Sequence, residues 1–583
     1  MQRTPTVDFG AIPGEIPNTV LPIDVQLPQA AEEAIRLLND WSTDSLTEGA
    51  IWRDLLALTG TYRTIHGRVN VHRMLNDLSS ARKRSVFELG SAGPRIVSSL
   101  EDASWIDVDV NFRLRWSRGR RNCSGIVSVV YDSDGEWRIW MLRSWLESFE
   151  GRGHPDVLAP LPASHTVAVT EEQIYDVVIV GGGLSGLSLA GRLHALGLTY
   201  LLLERTPNIG DVWKGRYDSL TWHTIKEFGE LPFGHTFEDE DPVLLPSKQV
   251  AARHKAWAEN FGINVNCGCH VEAADWDEGL SIWKVRSSTG TYRSRNLVLA
   301  IGPCASKPAR PLWATPEQVY SSGFKGSIVH SVDYQNCKAW AGKKGIVVGT
   351  ANTGHDVAED MLRARMTTTM IQRSKTFVMP AEWVQSSQKV LYNKQIPTAR
   401  ADRLSYTAPY SIFRELANRI VHKMITENPK RFDALEKAGF KLERYGNVAN
   451  HVLVRLGGHY IDTGASAKIA AGLIRIETRA VSKLTCNGLV LDDGTELNTD
   501  VIVLATGFEH DFREQAREII GDVADQMDDY WGLDAEGELR GYAKRAGHAH
   551  LFYHGGDVRL GRFFSRFIAL QIQANLLAPQ LLE

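Results

Sequence analysis

Tyr175-Asp176-Val177-Val178-Ile179-Val180-Gly181-Gly182-Gly183-Leu184-Ser185-Gly186 is the stretch that decides the fold. Its first half is almost continuously apolar, as a strand covered on both faces must be. Its second half is a GxGxxG turn. Gly181 permits the sharp bend, Gly183 lets the backbone approach a pyrophosphate, and Gly186 allows close helix–strand packing. The following helix carries Leu184, Leu187, Ala190 and Leu193 on one side and stops at Gly197. Tyr200-Leu201-Leu202-Leu203 then reads as a second strand. It delivers Glu204, 23 residues beyond Gly181, to the place where an acid holds a ribose hydroxyl.

The pattern occurs twice. The apolar strand Ile346-Val347-Val348 leads into Gly349-Thr350-Ala351-Asn352-Thr353-Gly354. Ala351 replaces the central glycine, which slightly limits the approach of a pyrophosphate. Asn352 and a helix beginning near Thr353 still offer donors and a positive dipole end. The second strand of this unit, Thr369 to Gln372, ends in Arg373-Ser374-Lys375 instead of an acid. A cation at that tip suits a 2′-phosphate and hence NADPH over NADH. Arg373 and Lys375 as plain solvated charges is the competing reading. Two such turns imply two dinucleotides held at once, with electrons passing between them. The expected fold is α/β, with two Rossmann-type dinucleotide-binding domains.

The chain has 583 residues, 43% hydrophobic and 23% charged, with a formal net charge of -4. Three or four domains fit that length at about 150 residues each. No like-charge block is long enough to indicate a nucleic-acid or membrane-surface partner. The six cysteines, Cys123, Cys267, Cys269, Cys304, Cys337 and Cys486, form no CxxC pair, and Cys267-Gly268-Cys269 is too tight for zinc or redox spacing. Reduced thiols, no metal site and a cytoplasmic location are expected. Met1 to Gln29 lacks a basic start followed by an apolar core, and no run of about 18 apolar residues occurs, so neither a cleaved signal nor membrane insertion is expected.

Upstream of the first fingerprint the texture differs. Pro5, Pro13, Pro17, Pro22 and Pro28 mark an irregular leader over residues 1–30. Ala34, Leu37, Leu38 and Trp41, then Trp52, Leu55 and Leu56, recur near helical period. Residues 105–112, 125–131 and 135–140 alternate as strands, the last pair joined by a Ser-Asp-Gly turn. Together these predict an α+β unit over 31–165, closing in a linker from Gly153 to His165.

Between the fingerprints lies Phe324-Lys325-Gly326-Ser327-Ile328-Val329-His330-Ser331-Val332-Asp333-Tyr334. It resembles the FxGxxxHxxxY/F box of class B flavin monooxygenases, in the flavin-containing monooxygenase version; Baeyer–Villiger enzymes usually end it with Trp. Gly210-Asp211-Val212-Trp213, Tyr217-Asp218-Ser219-Leu220, Glu230-Leu231-Pro232-Phe233, Ala505-Thr506-Gly507-Phe508 and the stretch Gly561 to Ala574 are similar to further family segments. The likeness covers about 172–583 and is nearest in flavour to the plant YUCCA-like and fungal branch. The N-terminal unit resembles SnoaL-like, nuclear-transport-factor-like cones, chiefly in its Trp-rich segment Trp137 to Gly151. Such cones serve more often as binding or dimerisation modules than as second active sites, which leaves a homodimer open.

The resemblance implies a three-layer ββα flavoprotein fold, with a FAD-binding domain in two parts (170–340 and 478–583) around an NADPH-binding domain (341–477). It implies a monooxygenase in which NADPH reduces FAD, dioxygen adds at the flavin C4a, and the hydroperoxide transfers one oxygen to a small-molecule substrate. N- or S-oxygenation is the first expectation, and Baeyer–Villiger or YUCCA-like oxygenation at a carbonyl carbon the second. Gly181, Gly183, Gly186, Glu204, Trp213, Thr506 and Gly507 are carried over as FAD-side residues. Gly349, Asn352, Thr353, Gly354 and Arg373 are carried over as NADPH-side residues. His223, Asn352 and His330 are the catalytic candidates. His223 stands where many flavin-containing monooxygenases have Asn facing the oxygenated flavin, and as a ring it is either active or merely positioned. His330 belongs near the junction of the nucleotide modules, where a structural or gating role is favoured over proton transfer. A disulfide reductase would need a redox cysteine pair, which is missing; a redox-silent scaffold sits poorly with intact fingerprints.

Overall fold

The computed structural model describes residues 7–99, 102–116, 119–160, 171–302, 307–509, 511–545 and 547–577. The start of the leader (1–6), residues 161–165 of the expected linker, and Cys304 lie outside them. The first sheet runs in the order Val265–Cys267, Tyr200–Glu204, Ile174–Val180 and Gly290–Leu299, all parallel, and Leu551–Tyr553 adds in parallel to the last. Gly290–Leu299 also turns back through the antiparallel strands Ile282–Ser287 and Val271–Asp277. Ile174–Val180 is apolar because both its faces are covered, and the helix Leu184–Ala195 lies against the long helix Val558–Leu577.

The second sheet repeats this plan. Ser327–His330, Val501–Leu504, Lys344–Val348, Thr367–Ile371 and Ile474–Glu477 pair in parallel, and a three-stranded antiparallel meander follows from Val481 to Asn498. The architecture is thus α/β with two Rossmann-type modules. Boundaries drawn at 340 and 477 cut through this second sheet, because the strand of the box and the strand before Ala505 both hydrogen-bond into it. A βαβ reading follows consecutive strands and misses those that enter a sheet from distant parts of the chain.

The N-terminal unit is a mixed sheet in the order Tyr62–His66, Leu46–Leu55, Trp137–Phe149, Gly119–Tyr131, Ala103–Trp116 and Glu88–Leu89, with Arg95–Ser99 also pairing to Ala103–Trp116. The helices Leu27–Asp40 and Arg68–Ala81 pack on it. Two expectations change here. Trp52 and Leu55 are not helical: they sit in Leu46–Leu55, an inner strand whose residues 50–55 are all buried, so that its apolar positions imitate a helical period. The leader is not irregular to residue 30 either. The first helix starts at Leu27 with Pro28 in its opening turn, where a missing N–H costs nothing. Phe9, Ile12, Ile16 and Leu21 are buried, and Arg414 donates to the carbonyls of Phe9 and Ile12.

This unit is welded to the modules by buried ions. Arg53, fully buried, makes a bidentate pair with Glu538 at 2.6 and 2.7 Å and donates to the carbonyls of Tyr406 and Ala408. Breaking such a pair from one side costs about 3–5 kcal/mol. A second cluster joins Glu147 and Asp156 to Arg403, Arg566 and Arg192. His154 completes a grouping with metal-ligand spacing, yet the three guanidinium groups already neutralise both carboxylates. The expected linker therefore begins as part of this interface. No helix among the described residues is long and apolar enough to cross a membrane.

Candidate dinucleotide and active site

In the first turn, packing dictates Gly181, Gly182 and Gly186, and something else dictates Gly183. Gly181 holds φ +106°, and a Cβ there would lie 2.5 Å from the Ala300 carbonyl oxygen. A Cβ at Gly186 would overlap the Gly181 carbonyl oxygen. Gly183 has φ −73° and ψ −175°, open to any residue, and a Cβ on it would meet no protein atom within 4 Å. It caps the N-terminus of Leu184–Ala195, so the space before it is an anion cradle that fits a pyrophosphate. Glu204 sits at the tip of its strand as expected. Its carboxylate accepts from the Gly182 N–H at 2.6 Å and from the Thr206 N–H and hydroxyl at 2.8 Å.

The second turn copies this geometry. Gly349 holds φ +113° against the Ala505 carbonyl, a Cβ at Gly354 would overlap the Gly349 carbonyl oxygen, and Ala351 takes φ −87°, ψ −174°. The helix runs Asn352–Arg363, one residue earlier than the sequence indicates. Thr353 lies in its first turn. The Asn352 side-chain oxygen accepts from the Ile461 N–H at 2.8 Å, so half of that amide is committed to the fold. Arg373 and Lys375 are exposed at the strand tip, with no ion pair among the described residues, beyond a buried Gln372 that is hydrogen-bonded to Lys441.

His330 lies at the end of its strand, beside Thr506 and Gly507 at the end of Val501–Leu504. Its Nδ1 accepts from the Val332 N–H at 3.2 Å. Thr506 gives its hydroxyl proton to the Ala309 carbonyl at 2.5 Å and is left to accept from His330 Nε2 at 3.4 Å. Burial, with help from Arg310, lowers the imidazole below its ordinary range. His223 is elsewhere. Its Nε2 stands 3.6 Å from Asp356 Oδ2, on the second fingerprint helix, and the same carboxylate oxygen accepts from Tyr217 at 2.7 Å. One turn further, Asp360 accepts from Tyr334 at 2.6 Å. The YxSL tyrosine thus ties the 217–223 segment, and the last residue of the box ties the box, to that helix through acids four residues apart. Burial and the adjacent carboxylates hold both phenols well above their ordinary range, as donors. Sequence reading missed Asp356 and Asp360; their i, i+4 spacing was the available signal. Trp213 packs edge-on against Trp222, 5.5 Å between centroids.

A cavity of about 280 Å³ opens between Phe228, the helices Thr398–Tyr406 and Tyr410–Glu427, and the head of Val558–Leu577. Aromatic and aliphatic side chains line it, among them Tyr392, Leu404, Tyr406 and Phe413. Its lining cation, Arg559, is paired with Asp557 at 2.7 Å. None of these residues carried a motif, since apolar lining leaves no spacing to read.

A family model described as pyridine nucleotide-disulphide oxidoreductase matches residues 178–413. An indole-3-pyruvate monooxygenase, YUCCA1 of Oryza sativa subsp. japonica, is 30% identical over 345 residues, covering 58% of this chain and 78% of its own length. The probable indole-3-pyruvate monooxygenase YUCCA9 of Arabidopsis thaliana is 29% identical over 342 residues, covering 57% and 74%. Among solved structures, cyclohexanone monooxygenase with bound epsilon-caprolactone in its loose conformation aligns at TM-score 0.50 and 17% identity, over 69% of this chain and 88% of that one. That likeness extends the fold, while the relatives settle the membership. The chain belongs to the class B flavin-dependent monooxygenases.

Proposed function

We propose that the chain is an NADPH- and FAD-dependent monooxygenase that inserts one oxygen atom from O2 into a small, neutral, largely apolar substrate. The observation that carries this reading is the duplicated turn whose second strands end in opposite charges, Glu204 in one module and Arg373 in the other. An acid suits the ribose hydroxyls of FAD, and a free guanidinium suits the 2′-phosphate of NADPH. When bound, FAD supplies the activation of dioxygen once NADPH has reduced it. The protein's share is binding, orientation and exclusion of water. Gly183 and Ala351 cap the two pyrophosphate cradles. The Tyr217–Asp356 bond ties the 217–223 segment to the second module, and the Tyr334–Asp360 bond fixes the end of the box on the same helix. His223 Nε2 lies near Asp356, within ion-pairing distance if the ring is protonated.

The apolar chamber beside Phe228 and Tyr406 is our substrate site. Its lining offers no unneutralised cation among the described residues, since Arg559 answers Asp557. A buried charge without a partner is costly, so an uncharged molecule suits it. Oxygenation of a soft nitrogen or sulfur is the first reading. Oxygenation at a carbonyl carbon is the second, favoured by the names of the relatives and by His223 in place of Asn. We read residues 31–165 as a SnoaL-like cone, a reading supported by two helices laid against one mixed sheet.

The test supplies NADPH, isotopically labelled dioxygen and a panel of aryl sulfides, amines and ketones, and reads products by mass. One label on an intact sulfide or amine supports the first reading, and a labelled ester the second. NADPH consumption that yields only stoichiometric peroxide over the whole panel overturns the monooxygenase reading.

A further inference from the structure

The first 150 residues contain two runs rich in cations, Arg82-Lys83-Arg84 and the stretch Arg113 to Arg121, about 30 residues apart in sequence. Neither is long enough to stand out as a charged block. The fold brings them together. Arg84 bridges to Leu114, the Arg113 N–H donates to Ser85 Oγ, and the Ser85 N–H donates to the Arg113 carbonyl. The result is a cavity of about 660 Å³ at the end of the N-terminal sheet, lined by Lys83, Arg84, Arg113, Arg115 and Arg120, with Glu88 as its acid. Asn111, Asn122 and Ser124 add polar groups to the same wall.

Three features set this cavity apart from ordinary solvated charge. Arg115 and Arg120 are direct cross-strand partners in the antiparallel pair of Ala103–Trp116 with Gly119–Tyr131. Like charges placed opposite each other destabilise a sheet. Arg113, Arg115 and Arg120 form no ion pair among the described residues, whereas Arg138, Arg143 and Arg95 of the same sheet all do. Arg84 is half-buried against the ring of Phe87, and this desolvation, with no carboxylate to offset it, lowers its guanidinium to about 10. Each is a standing electrostatic cost that a bound anion would remove.

We propose that this cavity is a binding site for a soluble small molecule bearing two or more phosphates. Guanidinium forks bind phosphate oxygens in bidentate fashion, and five cations against one acid call for a ligand with several negative charges. Concavity and volume fall in the range of small-molecule sites, unlike the open track that a nucleic-acid backbone needs. The inference is independent of the oxygenation chemistry.

The experiment titrates inorganic tripolyphosphate into the full-length, flavin-loaded protein saturated with NADP⁺, so that the dinucleotide sites are closed to the probe. Calorimetry should show saturable binding that R115Q/R120Q weakens by at least about tenfold, with R113Q intermediate and flavin content unchanged. Melting supplies the second readout. Without the anion, R115Q/R120Q should melt higher than the parent, because the facing charges are gone. With the anion, the parent alone should gain. Absence of saturable binding, or equal binding by parent and variant, overturns the site. A single-stranded oligonucleotide that binds more tightly than tripolyphosphate, and loses that affinity in R115Q/R120Q, would assign the surface to nucleic acid and overturn it as well.

Discussion

The two glycine turns differ in a way that separates folding from binding. Gly181 and Gly349 share the same left-handed bend, at φ +106° and +113°, and Gly186 and Gly354 share the same contact with the carbonyl of that bend. The two fingerprint glycines that face protein backbone are copied. Positions that face the ligand are not: the helix cap is Gly183 in one module and Ala351 in the other, and the strand tip is Glu204 in one and Arg373 in the other. A fingerprint therefore contains a packing rule at the bend and its facing helix residue, and a recognition rule at the cap and the strand tip, where the two modules diverge.

The largest expected effect breaks the comparison inside one turn. Gly183→Val adds a branched side chain where no protein atom lies within 4 Å, so the chain should fold with unchanged circular dichroism and purify without flavin. Gly186→Val drives the same side chain into the Gly181 carbonyl and should fail to accumulate as folded protein. Flavin absorbance per folded chain decides between them. A yellow Gly183→Val protein would refute the cradle.

Next in size is the recognition difference between modules. Arg373→Ala removes a charge-assisted contact of about 1.5–3 kcal/mol and should raise the NADPH KM tenfold or more while leaving NADH nearly unchanged. Equal losses with both nucleotides would make Arg373 a residue of the fold. Smaller still is the pair of phenol–carboxylate bonds on the second fingerprint helix. Tyr334→Phe leaves the Asp360 carboxylate without its phenol donor, a loss of about 1–3 kcal/mol. The melting temperature should fall by a few degrees with flavin retained, and Tyr217→Phe should act likewise through Asp356. Unchanged melting in both would mean these bonds contribute nothing.

The sequence was most readable where one backbone segment performs the whole task. Gly181, Gly183, Gly186 and Glu204 fall within 24 consecutive residues, and the structure assembles them as the spacing implies. It was less readable where strands enter from afar. Val501–Leu504 lies more than 150 residues beyond Lys344–Val348 yet is its direct neighbour, a pairing that no consecutive βαβ pattern announces. The catalytic candidates fared according to their surroundings. His330 and His223 both look like bare histidines in sequence, because their neighbours in the fold, Thr506 and Asp356, are 176 and 133 residues away. The inner strand Leu46–Leu55 shows the other limit: burial on both faces erases the period that would have identified it.

The smallest expected effect sharpens the comparison between the caps. Gly183 and Ala351 have the same backbone conformation, so the methyl group of Ala351 marks how much side chain a cradle in this fold tolerates. Ala351→Gly should let a pyrophosphate approach more closely, and separately lowers folding stability by about 0.5–1 kcal/mol through the unfolded chain, a loss read in melting. Removing one methyl group should lower the NADPH KM by no more than a factor of about three. Gly183→Ala is the reciprocal change. It should keep flavin bound with a modestly faster release, well short of the loss expected for Val, because the second module already uses that side chain at the same φ and ψ. Flavin release rates for Gly183→Ala and Gly183→Val, measured side by side, give the comparison its scale. If Ala abolishes flavin binding as fully as Val, the cradles are not equivalent, and the first module holds its pyrophosphate closer to the backbone than the second can.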